Sequence, residues 1–302
     1  MPNIGVRSPY FITETQSGGS YAIMTLTIDG SNVYTIRKDT GTTFSVDISD
    51  IVRDFVNPTY DGTLDLDSIG EVSVTTSTQF YDTNNLTVGS AKTKSHTAFD
   101  AYNYFQEGNN CEIDDSINLI SESTVWAPEN TAGSFYATSA LGAVSVVSYT
   151  TSATSQSGVT IKRHECTKYT PVKCVFVNKF GVPQELYFFG KTTESSTSTR
   201  ESYKANITAA NGTVDVNSHQ KRSFDVNGTT RYTLNTGLVD ESYTEYVREL
   251  MLSENVWLVI DSIVRPVTPT SSDVTFRTSL NDKMIQYTVE FEQSNDLISS
   301  AR

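Results

Sequence analysis

The chain has 302 residues, with 35 acidic against 22 basic side chains and a formal net charge of −13. Nucleic acid and anionic bilayers are held by clustered Lys and Arg, and here the basic residues are scattered singly or in pairs, so both are excluded as main partners. A chain of this length suits two domains, each with its own core.

Charged residues make up only 19% of the sequence, while Ser and Thr are abundant and 16 Tyr and 14 Phe are present. This is the palette of antiparallel sheet with one solvated face, and the aromatic and β-branched content confines disorder to short pieces. Three cysteines, Cys111, Cys166 and Cys174, are too few for a disulfide framework and are expected as free, buried thiols in a reducing compartment. No run of 18 apolar residues occurs, and the start MPNIGVRSPYFITETQSGG lacks the charged-then-apolar layout of a secretory signal. The expectation is a soluble protein made in the cytosol, without membrane insertion.

In chain order, YAIMTLTIDGSNVYTIRK from Tyr21 places apolar residues at Ile23, Leu26, Ile28, Val33 and Ile36 around Asp29-Gly30, a strand, turn and strand. Thr43 to Ile48 alternates Phe, Val and Ile with polar residues and predicts a third strand. The period then changes. Ile48, Ile51, Val52 and Phe55 recur at spacings of three and four, so DIVRDFV, residues 50–56, is predicted to be a short amphipathic helix started by Asp47 or Ser49 and ended by Asn57-Pro58. Helices of fewer than about 12 residues rarely repay nucleation. Its stripe of Ile51, Val52 and Phe55 must therefore cap the open end of a sheet. Strands resume at Glu71 to Thr76 and at Leu86 to Val88.

The second half has the same grammar. Pro171 to Val177 and Glu185 to Phe189 read as strands joined by a turn over residues 178–183. Arg231 to Leu234 leads through Asn235-Thr236-Gly237 to a helix whose Ser242 and Glu245 have capping-box spacing. EYVRELM, residues 245–251, repeats the acid, apolar, Val, Arg, acid, apolar, apolar order of DIVRDFV, and Val247, Leu250 and Met251 form its predicted capping stripe. Asn255 to Ile260 is the most apolar strand. The order Tyr34-Thr35-Ile36, Gly41, DIVRDFV matches Tyr232-Thr233-Leu234, Gly237, EYVRELM, which suggests an internal duplication; convergence on a common helix-start grammar is the competing explanation.

Ser121 to Gly158 has loop composition and carries the expected boundary, with residues 141–149 as a strand able to belong to either side. The resulting expectation is an all-β protein of two tandem β-sandwich-like domains, residues 1–135 and 136–302, each capped by one short α-helix. Residues 194–201, ESSTSTRE, read as a low-complexity loop or hairpin tip, and residues 295–302 as an exposed terminus.

Motifs for chemistry are absent. His96, His164 and His219 lie outside any nucleophile elbow and beside no motif-borne Ser or Cys. His164-Glu165-Cys166 with Cys174 offers three metal ligands, but the spacing is not that of a zinc finger. Asp61, Asp65 and Asp67, and Glu112, Asp114 and Asp115, do not match a calcium-binding loop. No glycine-rich phosphate cradle follows a strand. Asn85, Asn206, Asn211 and Asn227 begin formal glycosylation sequons, of which Asn211-Gly212 and Asn227-Gly228 read as turns. No catalytic residue, cofactor or metal is therefore expected. Phe99 to Phe105, FDAYNYF, offers Tyr102, Tyr104 and Phe105 as a candidate contact surface for protein or carbohydrate, with a core strand or ordered loop as the plainer reading.

Taken together, IGVRSPYF, DIVRDFVNPTYDG, FDAYNYFQEG, CTKYTPVKCVFVNKFGVPQELYFFG, YVRELMLSENVWLV and QYTVEFEQSND resemble structural proteins of tailed bacteriophages, of the kind found in tails, baseplates and fibre attachments. The resemblance is one of layout and spans most of the chain. It implies a non-enzymatic virion component, made in the host cytoplasm and present in several copies, whose partners are copies of itself in a symmetric homo-oligomer and other virion proteins. A receptor- or glycan-binding virion protein using the aromatic loop, a head, collar or neck component, and a polysaccharide-cleaving enzyme are the alternatives.

Overall fold

The computed structural model describes residues 1–165, 168–271 and 285–298. Among them the fold is all-β, with twenty strands and two short α-helices. In the first half the strands are β1 (Asn3–Gly5), β2 (Phe11–Thr15), β3 (Tyr21–Ile28), β4 (Asn32–Asp39), β5 (Thr43–Asp47), β6 (Val72–Tyr81), β7 (Thr87–Phe99) and β8 (Glu112–Ile113). Six of them form one curled sheet in the order β4-β3-β6-β7-β1-β8, and β2 pairs with β5 separately.

The β3–β4 turn follows from its residues: Asp29 and Gly30 both take positive φ, 49° and 69°, as a two-residue hairpin turn demands. Strand β3 alternates strictly, with Ala22, Met24, Leu26 and Ile28 fully buried. Ile23 therefore lies on the outer face, and Val33, on edge strand β4, is 59% exposed. The even-numbered residues of β3 turn inward because they give one unbroken period-two face. The inner face packs with Ile4, Ile12, Phe44, Val74 and Phe80 into one core, where Phe44 and Phe80 meet edge to face at 6.4 Å.

Helix α1 (Ser49–Arg53) spans five residues, one turn shorter at its end than predicted. Asp54 and Phe55 continue as a hydrogen-bonded turn, the Phe55 amide donating to Val52 O at 3.0 Å. Val52 is fully buried against the first core, with Ile51 and Phe55 packed partly on it.

The middle of the chain adds β9 (Thr124–Pro128), β10 (Gly133–Thr138), β11 (Val144–Tyr149), β12 (Ser155–Gln156) and β13 (Val159–His164). β10 pairs with β11, and β13 lies between β12 and β9, parallel to the latter. The expected division at 135/136 falls inside β10. One apolar cluster, with Phe99, Leu119, Tyr136 and Val182 among its members, runs across that point, and a further one joins Val125, Phe135, Tyr149 and Ile161.

The rest of the chain builds a seven-stranded sheet from β14 (Val172–Val177), β15 (Pro183–Phe188), β16 (Thr193–Lys204), β17 (Lys221–Asn235), β18 (Val256–Ile260), β19 (Ile263–Pro269) and β20 (Thr288–Gln293), in the order β15-β14-β18-β19-β20-β17-β16. Helix α2 (Tyr243–Leu252) lays Tyr243, Tyr246, Val247 and Leu250 into its core, with Met251 at the margin. Residues 194–201, read from sequence as a loop or hairpin tip, lie within the extended strand β16 instead. The Ser/Thr run contains neither proline nor glycine, so nothing in it resists extension.

The capping box at Ser242 and Glu245 does not form. Asp240 Oδ1 accepts from the Ser242 amide at 3.0 Å and from its hydroxyl, while the Glu245 carboxylate turns to Tyr104 and Arg248. Asp47 does the same at α1, its Oδ1 accepting from the Ser49 amide at 3.0 Å and hydroxyl at 2.7 Å. An Asp-x-Ser turn, not a capping box, starts both helices. The proposed repeat diverges in depth: Tyr34 is 38% exposed on edge strand β4, whereas Tyr232 is 1% exposed on β17. No helix among the described residues is long and apolar enough to cross a membrane.

Candidate assembly site

The aromatic loop after β7 lies at the junction of the two halves. Gly181, at φ 75°, brings the turn after β14 so close that a Cβ there would sit 2.6 Å from Ala101 N, and the Tyr102 amide donates to Lys179 O at 3.0 Å. Tyr102 is 8% exposed, with the Arg7 guanidinium 5.0 Å from its ring centre. Tyr104 packs edge to face on Tyr102 at 5.8 Å, lies under Lys179 Nζ at 4.8 Å and donates its hydroxyl to Glu245 of α2 at 2.6 Å. Of the three residues expected as a contact surface, only Phe105 projects, at 98% exposure. Tyr102 and Tyr104 are joints between the halves.

Charged groups complete that joint. Arg53, at the end of α1, donates to both carboxylate oxygens of Glu254, just beyond α2, at 2.6 Å each. Arg7 donates to Leu252 O at 2.9 Å and lies 3.5 Å from Glu254 and 4.0 Å from Asp100. Burial pushes the Asp100 carboxyl up to about 6, against the pull of Arg7 and Arg53. Glu249, 2% exposed on the inner side of α2, accepts from the Lys179 amide at 2.9 Å and the Ser121 hydroxyl at 2.8 Å. Its burial outweighs those bonds and raises it to about 7. Arg53 and Glu249 are the repeated Arg and acid of the two heptapeptides; none of Arg7, Asp100 and Glu254 was singled out from the sequence for a role.

The second feature is an arm. All twelve residues of β16 and the first six of β17, residues 221–226, are exposed. β17 pairs with β20 only over residues 231–235, and the chain end adds one further rung, the Leu297 amide donating to Gly228 O at 2.8 Å. Beyond that, among the described residues, the ribbon has two strands and exposes Tyr203, Phe224 and Val226 at 49%, 63% and 38%. Two-stranded ribbons are marginal in water. This one also places Glu201 opposite Asp225 and Lys204 opposite Lys221, like-charge pairs that weaken it further.

The chemical candidates do not converge. His96 is buried on β7, and that burial is the main cause lowering its pKa. His164 stacks on Phe189 at 4.2 Å, and His219 sits at the far end of the arm. Cys111 and Cys174 are buried free thiols; Cys166, weighed with His164 and Cys174 as a metal-ligand spacing and set aside, lies outside the described residues. Asp65 Oδ1 accepts from the Ser68 amide and hydroxyl, an internal turn. Among the described residues no group of three or more His, Cys, Asp or Glu side chains is placed to hold a metal ion. No protein-family model matches the chain, and no curated protein matches it in sequence.

Proposed function

We propose that this chain is a non-enzymatic structural subunit of a bacteriophage particle, in the tail or its appendages, assembling in multiple copies. The observation that carries the assembly reading is the arm: β16 is the terminal strand of the seven-stranded sheet, exposed along its whole length, and among the described residues no third strand pairs with its distal part. Two sheets locked by the Arg53–Glu254 and Tyr104–Glu245 contacts supply a rigid base for such an arm. The virion setting rests on the resemblance in motif layout described above.

Two measurements test the reading. Mass spectrometry of purified particles is expected to find the chain at several copies per particle, and its absence from particles contradicts the virion setting. The mass of the purified full-length chain in solution is expected to rise above that of a monomer with concentration, and a monomer throughout contradicts assembly.

A further inference from the structure

We infer that the partner strand of β16 is β16 of a second copy, the two edges joining antiparallel about a two-fold axis through Thr199. This rests on the assembly reading and names the surface and partner it requires. Among the described residues nothing pairs with the outer edge of β16. Natural edge strands are commonly shielded by shortness, proline, bulges or dense charge. β16 has twelve residues, TESSTSTRESYK, without proline or glycine and without charge from Ser195 to Thr199. The one irregularity of the arm lies on the other strand: the register passes from Glu201↔Asp225 to Ser202↔Ser223, leaving Phe224 as the extra residue of β17. The open edge is thus regular and ready to accept a strand.

Charge selects both the partner and the register. Backbone donors and acceptors alternate in direction along a strand, so a two-fold axis normal to an antiparallel pair must pass through a residue facing its own copy. Two such registers overlap eleven of the twelve residues. The one centred on Ser198 brings no two charged residues opposite each other. The one centred on Thr199 sets Glu194 of each copy directly opposite Lys204 of the other, twice by symmetry. It gives Lys204, which faces Lys221 within its own arm, the counter-charge it lacks there. The joined arms form a four-stranded sheet across the axis, held chiefly by main-chain hydrogen bonds.

The test is the self-association of the full-length chain by sedimentation equilibrium, comparing wild type, Glu194→Lys, Lys204→Glu and the double variant. Each single variant sets like charges opposite each other at both symmetric positions and is expected to weaken association about tenfold or more; the double variant restores the opposite pairing and is expected to recover it. Lys204→Glu is informative on folding, since within one arm it replaces a like-charge pair by an opposite one and is expected to firm the monomer while loosening the dimer. Wild-type association unchanged by either single variant, or singles that weaken without rescue in the double, overturns the inference and leaves the assembly reading standing. A wild-type chain that stays monomeric overturns both.

Discussion

The heptapeptides DIVRDFV and EYVRELM share an order of residue types and an Asp-x-Ser start, yet the structure uses them at different depths. Helix α1 has five residues and buries one large apolar side chain completely, Val52. Helix α2 has ten and buries Tyr243, Tyr246, Val247 and Leu250, with two tyrosine hydroxyls tied to backbone: Tyr243 to Tyr187 O, and Tyr246 to Thr124 O at 2.9 Å. The pattern fixes which face turns inward; what lies behind that face fixes how far it sinks. Behind α1 is the core of the first half, and behind α2 the larger apolar cluster of the seven-stranded sheet. The two helices then meet through Arg53 and Glu254.

That contrast can be broken at graded cost. Leu250→Ala is expected to be the most damaging, lowering stability by about 2–5 kcal/mol, because α2 cannot collapse into the space left. Val52→Ala removes less buried hydrocarbon and is expected to cost about 2 kcal/mol. Equal losses from the two changes in denaturant titration would show that the helices are equivalent after all.

The next effect depends on pH. Glu249 is raised from 4.5 to about 7 and Asp100 from 3.8 to about 6. Between the ordinary and raised values the folded state holds protons the unfolded state has released, so these groups make stability fall as pH rises from about 4 to 7 and then level off. Glu249→Gln is expected to flatten that slope; an unchanged slope in urea titrations across this range would show that the joint around α2 is not the source. Smallest of all, Arg53→Ala breaks an ion pair in which Arg53 is 38% and Glu254 56% exposed, and is expected to cost under about 1 kcal/mol.

What was legible in the sequence was whatever has a local period. The stripes containing Val52, Val247 and Leu250 were read correctly because a helix repeats every three to four residues, and all three are fully buried. The strand over residues 21–28 was legible but its inner face was not, because hydrophobicity alone does not say which face is inner: Ala22 and Met24 are buried and Ile23 lies on the other face. Strand β16 was missed as a strand because its side chains never alternate between apolar and polar, both faces being solvated. The meeting of Arg7 and Asp100 with Glu249 and Glu254 was invisible because the first two are far from the others along the chain, and no local spacing records such a meeting.

Amide hydrogen exchange on the wild-type full-length chain, at dilute and at high protein concentration, reports most directly on whether the arm is an assembly surface. Slower exchange confined mainly to residues 193–204 at high concentration is the expected result. Equally fast exchange along β16 at both concentrations, with association still visible by mass, would place the contact elsewhere on the molecule and contradict it.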